Sequence, residues 1–278
     1  MSLNLIYITN IPSVALIAEK YGVDRIMVDL ETLGKEERQK NMNTVKSHHT
    51  VDDVRIISNM LTSSEMLVRV NPWNENSVNE IEAVIAAGAN RIMLPMWKTA
   101  DEVNSFLNTV NGRVHTTLLL ETKEAAEIID EILEAPLLDE IHIGLNDLHL
   151  SYGLTFMFEL LSNGAIESLC RKFKAKGIPY GFGGIARIGE GTLPAESIVM
   201  EHYRLGSSRV ILSRSFCNTD EITDITSVET IFSENIALLR AYEKSLVNKS
   251  DLEYNENIKV VKRSVDMIVN RIKEKKVQ

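Results

Sequence analysis

Residues 66–96 read MLVRVNPWNENSVNEIEAVIAAGANRIMLPM. Met66–Asn71 is a short apolar run that meets a polar, proline-containing turn. Val78–Ala87 then carries apolar side chains at helical spacing and stops at Gly88, where a left-handed cap is wanted. Arg91–Met96 is a second apolar run. One strand, one helix and one further strand follow each other without spare residues, which is the unit of a parallel sheet.

The same unit recurs in both directions. Strand-like runs fall at Leu3–Thr9, Arg25–Leu30, Met66–Asn71, Arg91–Met96, Thr116–Glu121, Glu140–Asn146, Ile178–Gly183 and Arg209–Ser213. Most are apolar on both faces, as parallel strands are when helices cover one side and packed side chains the other. Helical segments separate them. Val14–Tyr21 ends at Gly22, Thr99 and Glu102 form a capping-box pattern, and Lys123–Glu134 stops before Pro136. Eight alternating units in 278 residues predict one (β/α)8 TIM barrel spanning 1–278, a fold of about 250 residues. An open doubly wound sheet is the alternative, but the Gly-rich first turn common there is missing. Two extra C-terminal helices are expected at Val228–Val247 and Asn257–Lys275. The second carries Ile258, Val261, Val265, Ile268 and Ile272 as an apolar stripe. Exposed, such a stripe would be unusual. The segment 251–278 is therefore expected to pack on a neighbouring subunit of a homo-oligomer, with folding back on its own barrel as the other solution.

Composition excludes several classes. The formal net charge is −9, which opposes nucleic-acid binding. No apolar run nears the roughly 20 residues of a membrane span, and Cys170 and Cys217 have no zinc-type spacing. A cytoplasmic protein acting on a small molecule, with no nucleic-acid or membrane partner, is expected.

Barrel active sites lie at the carboxyl ends of the strands. Here those ends present Asp29 and Glu31, Arg69 and Asn71, Glu121, Asn146 and Asp147, and Ser213–Ser215. A lone acid in such a place is more often a cap or an ion-pair partner. Glu121 and Asp147 on adjacent strands, with Arg69 at the same end, favour a hard cation, Mg²⁺ or Mn²⁺, held by oxygen. The two-pronged arginine suits a carboxylate. Cation and arginine together match a 2-oxo acid, whose enolate they stabilise. None of the eight runs contains a lysine, which disfavours Schiff-base chemistry. Trp97 and Trp73 stand near strand ends as pocket walls or packing groups. The loop Gly183–Gly191 with Arg187 is an anion cradle or a plain connector.

Val28-Asp29-Leu30-Glu31, Val68-Arg69-Val70-Asn71-Pro72, Gly88-Ala89 through Leu94-Pro95-Met96, Leu120-Glu121-Thr122, and Ile143 to Leu148 with Ser151-Tyr152-Gly153 arrive in a familiar order. In this the chain resembles the HpcH/HpaI aldolase and citrate lyase β-subunit family of the phosphoenolpyruvate/pyruvate barrels. The resemblance implies metal ligation by Glu121 and Asp147. It implies oxo-acid contact by Arg69, carboxylate binding around Asn146 and Asp147, and an acidic pair at Asp29 and Glu31. It departs at Thr32, where the family's aldolases have a histidine of the acid/base machinery, and at Leu119, where they have glutamine. His48 and His49 in the long second loop are substitutes for that histidine or simply exposed. The function expected is a metal-dependent, class II carbon–carbon lyase yielding a pyruvate-like enolate. A citrate-lyase-like acyl-CoA lyase or hydrolase and a non-catalytic metabolite-binding barrel are the alternatives.

Overall fold

In a computed structural model, which describes residues 2–34 and 49–277, eight parallel strands close in sequence order, β1 beside β8. They are β1 (Asn4–Ile8), β2 (Arg25–Asp29), β3 (Glu65–Arg69), β4 (Arg91–Leu94), β5 (His115–Leu120), β6 (Glu140–Ile143), β7 (Tyr180–Ile185) and β8 (Arg209–Leu212). Each of the eight expected runs forms a strand. The outer ring begins with α1 (Pro12–Lys20), α2 (Val51–Ser58), α3 (Ser77–Ala86) and α4 (Ala100–Val110). Thr99 and Glu102 make the reciprocal cap of α4, and Gly22 and Gly88 take positive φ.

Alternation along the strands sorts the barrel interior into three layers. At the amino-terminal mouth, Arg25 pairs with Glu140 at 2.7 Å and with Glu65, while Arg91 pairs with Glu65 at 3.2 Å. Arg209 also pairs with Glu140. Burial works against the Glu140 charge, but Arg25 and Arg209 more than offset it and hold the carboxyl below its usual range. Above this ionic layer Ile6, Met27, Leu67, Met93 and Leu119 form an apolar plug, with Ile8 and Ile211 packed on it. The next residues inward along the strands are Asp29, Arg69 and Glu121, so the site's floor is the plug.

Two expected elements differ. The Lys123–Glu134 helix is two short ones, α5 (Lys123–Glu127) and α6 (Ile129–Ile132). Strand β6 ends at Ile143, and Asn146 and Asp147 lie in the first turn of the following helix, α7 (Leu145–Ser151). Beyond α8 (Glu159–Ser162), α9 (Ala165–Lys176) and α10 (Ala195–Leu205) come the terminal helices α11 (Ile225–Leu246) and α12 (Asp251–Val277). Helix α12 packs against α10 and α8 of its own chain. Val261 and Val265 are fully buried there, Val269 joins them, and Ile268 and Ile272 are partly buried. Asn257 donates to the Ser197 carbonyl at 3.1 Å and to Glu201 at 2.8 Å. Folding back thus covers the stripe, so its apolar character no longer demands a second subunit.

Candidate active site

The carboxyl-end mouth of the barrel holds a cavity of about 380 Å³ lined by residues from all eight strands and the loops after them, among them Asp29, His49, Arg69, Glu121, Asn146 and Asp147. That volume falls within the range, about 300–1,000 Å³, of pockets that enclose whole small ligands.

Arg69 ends β3 beside Asp29, its register partner on β2. Its Nε and Nη2 each donate to an Asp29 oxygen at 2.8 Å. Glu31 stands 3.4 Å from Nη1. Burial opposes the guanidinium charge, but Asp29 first, then Glu31 and Glu121, more than offset it and keep the group protonated. A guanidinium has five N–H donors. The Asp29 fork uses the Nε edge, and Glu31 faces Nη1, so the donors not aimed at Asp29 lie along the Nη1–Nη2 edge. Glu31 is buried at 2% exposure, is not among the residues lining the cavity, and faces Arg69.

Glu121 follows β5 and is buried at 3% exposure. Met96, held at a positive φ of 54°, donates its N–H to Glu121 Oε1 at 3.0 Å. Gly144 makes room for the other oxygen: a Cβ there would stand 2.8 Å from Oε2. Burial raises the Glu121 carboxyl well above its ordinary range; Arg69 pulls it down, while Asp147 and Glu31 push it further up. Asp147 and Glu31 thus disfavour the charge on Glu121, a repulsion that a bound cation would relieve, and Glu121 and Asp147 both offer carboxylate oxygens.

Such a pair fits Mg²⁺ or Mn²⁺, which take one or two protein carboxylates and complete their shell with water and substrate. Among the described residues no three His, Cys, Asp or Glu side chains form a fuller cage. Softer metals with nitrogen or sulfur ligands are correspondingly a poor match.

His49 lines the same cavity, and its Nδ1 accepts the Asp29 backbone N–H at 2.9 Å. The lone pair must then lie on Nδ1, so the neutral ring carries its proton on Nε2. His48 lies outside the described residues. Thr32 is engaged elsewhere: its N–H and hydroxyl both donate to Asn71 Oδ1, at 2.9 and 3.3 Å. Asn71 in turn donates to Glu80 at 2.8 Å and so pins the start of the second loop rather than facing substrate.

One expectation is corrected, that Trp97 binds substrate, and the open readings of Trp73 and Arg187 go to their plainer alternatives. Trp97 is 1% exposed and packs in the core, its carbonyl accepting from the Thr122 hydroxyl at 2.8 Å; it does not wall the cavity. Trp73 is partly buried against the same core. Arg187 pairs with Glu190 at 3.1 Å and is not in the cavity lining. Among the lining residues that sequence reasoning did not single out is a buried histidine. His142, inside the barrel on β6, is fully buried and its Nε2 lies 3.1 Å from the Gly183 carbonyl. Only its place two residues past the inward-facing Glu140 signals it.

Burial drives the His142 pKa down to about 4, with Glu140 opposing and Arg25 and Arg209 adding to the fall. The unfolded chain titrates this group near 6.5. Below pH 6.5 the unfolded state binds the proton first, so stability falls with pH and the whole contribution is lost near pH 4. From pH 7 to 4.5 the expected loss from His142 is about 2–3 kcal/mol. Urea unfolding at the two pH values should show a smaller acid-induced loss in His142→Gln by that amount; equal losses would contradict the assignment.

A model of the HpcH/HpaI aldolase/citrate lyase family matches residues 7–180, more than half of the chain. The chain belongs to this family. Membership makes it an enzyme of the carbon–carbon lyase and aldolase type. No curated protein sequence gives a match. Among solved structures, an HpcH/HpaI aldolase from Desulfitobacterium hafniense DCB-2 superimposes with a TM-score of 0.61 at 14% identity, covering 86% of this chain and 93% of its own. An HpcH/HpaI aldolase/citrate lyase family protein from Burkholderia cenocepacia J2315 gives 0.59 at 15%, over 88% and 93%. Macrophomate synthase gives 0.56 at 15%, over 89% and 86%. At these identities the structural likeness speaks to the barrel alone. No helix among the described residues is long and apolar enough to cross a membrane.

Proposed function

We propose that the protein is a divalent-metal-dependent aldolase that makes or breaks a carbon–carbon bond through a pyruvate-like enolate. The observation that carries this reading is the convergence of Glu121, Asp147 and Arg69 on one cavity above the apolar plug. Glu121 and Asp147 would hold Mg²⁺ or Mn²⁺, which supplies an electrophile for the keto oxygen. The Nη1–Nη2 edge of Arg69 and the first-turn amides of α7 near Asn146 and Asp147 orient the substrate carboxylate. His49, with its proton on Nε2, donates a hydrogen bond to the oxygen of the second carbonyl as that oxygen gains charge. In this role it is a donor and not the base that the family's own histidine suggested. Thr32, bound to Asn71, takes no part in proton transfer.

Enolate formation needs no knowledge of the second reactant, which makes it the direct test. With Mn²⁺ present the protein should exchange the methyl protons of pyruvate with deuterated water, followed by NMR. A rate equal to that of the metal alone removes the aldolase reading in favour of an acyl-CoA or non-catalytic one.

A further inference from the structure

Met27, Met93, Leu119 and Ile211 bring the apolar plug to the cavity floor, and a polar ring, His142, stands among them as the register partner of Leu119. A carbonyl can only accept, so the Nε2 of His142 carries the proton that it donates to the Gly183 oxygen at 3.1 Å. Nδ1 then holds the lone pair, and among the described residues it has no partner. An unanswered buried acceptor costs stability, and a phenylalanine would fill the same space without that cost. What the histidine adds is its N–H. That N–H meets an irregular piece of backbone. On β7, Gly181 pairs with Arg209 and Gly184 with Ile211, so Phe182 and Gly183 together oppose the single Val210 of β8. Such a bulge leaves its extra residue outside the ladder and re-aims the chain beside it. Gly183 takes a φ of 55°, and a Cβ on it would stand 2.6 Å from Leu145 Cδ1. Leu145 is buried at 1% exposure and opens α7, where Asn146 and Asp147 follow it.

We infer that His142 is a positioning residue: by holding the Gly183 carbonyl it fixes the β7 bulge, on which Leu145 seats the first turn of α7 and so places Asp147 and the amides near Asn146. This rests on the cation and oxo-acid reading above. A carbonyl taken out of the ladder by a bulge needs another donor, and His142 supplies it from β6. Without that bond Gly183, at positive φ and with no side chain to hold it, is free to turn. Leu145 then loses the surface it packs against, and the first turn of α7 moves with it. A metal ligand tolerates displacements of only about 0.5 Å. Glu121 is placed independently, by the Met96 N–H and the space at Gly144. A change at His142 therefore reaches the cation through Asp147, and the substrate carboxylate through the same turn.

The test uses a pair of substitutions. His142→Phe keeps the bulk of the ring and removes the N–H, whereas His142→Gln keeps an amide N–H that can be donated to the same carbonyl. Two constants are read: the Mn²⁺ dissociation constant, by calorimetric titration, and KM for pyruvate in proton exchange with deuterated water. In His142→Phe both should rise, the first by about tenfold or more, the usual cost of losing a partner that orients a metal ligand. In His142→Gln both should stay near the parent's values. A role in folding alone would lower kcat and the number of sites titrated, through loss of folded protein, and leave both constants in place. Gly183→Ala gives a second measurement with His142 intact: it strains the positive-φ backbone and drives a Cβ into Leu145, so both constants should rise again. Unchanged constants in His142→Phe, or in Gly183→Ala should the first not fold, overturn the positioning role, as do equal shifts in His142→Phe and His142→Gln. Mn²⁺ binding and pyruvate exchange by the unmodified protein then leave the aldolase reading standing. An unmodified protein that neither binds Mn²⁺ nor exchanges pyruvate overturns both.

Discussion

Glu121→Gln should abolish Mn²⁺ binding in calorimetric titration and lower the rate of pyruvate proton exchange about 10³-fold, with little effect on folding. Glutamine keeps the shape, and its carbonyl oxygen can still accept the Met96 N–H that Glu121 Oε1 accepts at 3.0 Å. What it loses is the charge, and it places an N–H₂ donor where Oε2 lies against Gly144. A dication near two carboxylates loses a large part of its binding energy when one becomes neutral. The electrophile is then missing where charge develops; single groups of that kind are worth about 10²–10³ in rate, and a metal more. Asp147→Asn should follow the same course. The fold should survive, because Glu121 is a buried acid whose charge the protein opposes rather than favours. Undiminished Mn²⁺ affinity in both variants would dispose of the cation site.

Arg69→Lys should both destabilise the protein, by about 2–4 kcal/mol, and slow exchange at least 100-fold. The guanidinium makes two parallel bonds to Asp29 at 2.8 Å and faces Glu31 across 3.4 Å. A lysine ammonium is one point and cannot span both oxygens and the second acid. Asp29 and Glu31, each 2% exposed, would lose the two-pronged bond and the facing guanidinium charge. Removing one partner from a buried pair costs about 3–5 kcal/mol; keeping the charge recovers part of that. For exchange, losing the edge that orients the oxo-acid carboxylate acts in addition, as misplaced substrates commonly lose about 10²-fold. Urea unfolding and NMR exchange read the two effects separately. A variant as stable as the parent would mean that the Asp29–Arg69–Glu31 cluster does not support the site.

The sequence by itself determined the architecture. Eight apolar runs separated by helical stripes call for a parallel sheet covered on both faces, and their number, with no Gly-rich first turn, favours closure into a barrel over an open doubly wound sheet. The same physics made Glu121 legible: a carboxylate closing Leu118-Leu119-Leu120 must be buried with a partner or serve a purpose. The strand ends also offered Asp147, Arg69 and the acidic pair, and the family motifs added the roles the resemblance implies for them. Tertiary structure decided what depends on which buried face a residue occupies, and a run apolar on both sides conceals that. Inward-facing Arg25, Glu140 and His142 look in sequence like interruptions of a strand, yet they build the ionic layer and reach the cavity. Trp97 sits at a strand end but turns into the core. Asp147 proved to be in a helix turn, since strand length is set by pairing with β5 and β7 rather than by composition. The second loop's histidine could be assigned a tautomer only once Asp29 N–H was found against its Nδ1. The stripe on α12 needed an apolar partner, and energy alone favoured its own barrel and a neighbour equally. Only the position of α10 and α8 beside it shows which surface covers it in this chain.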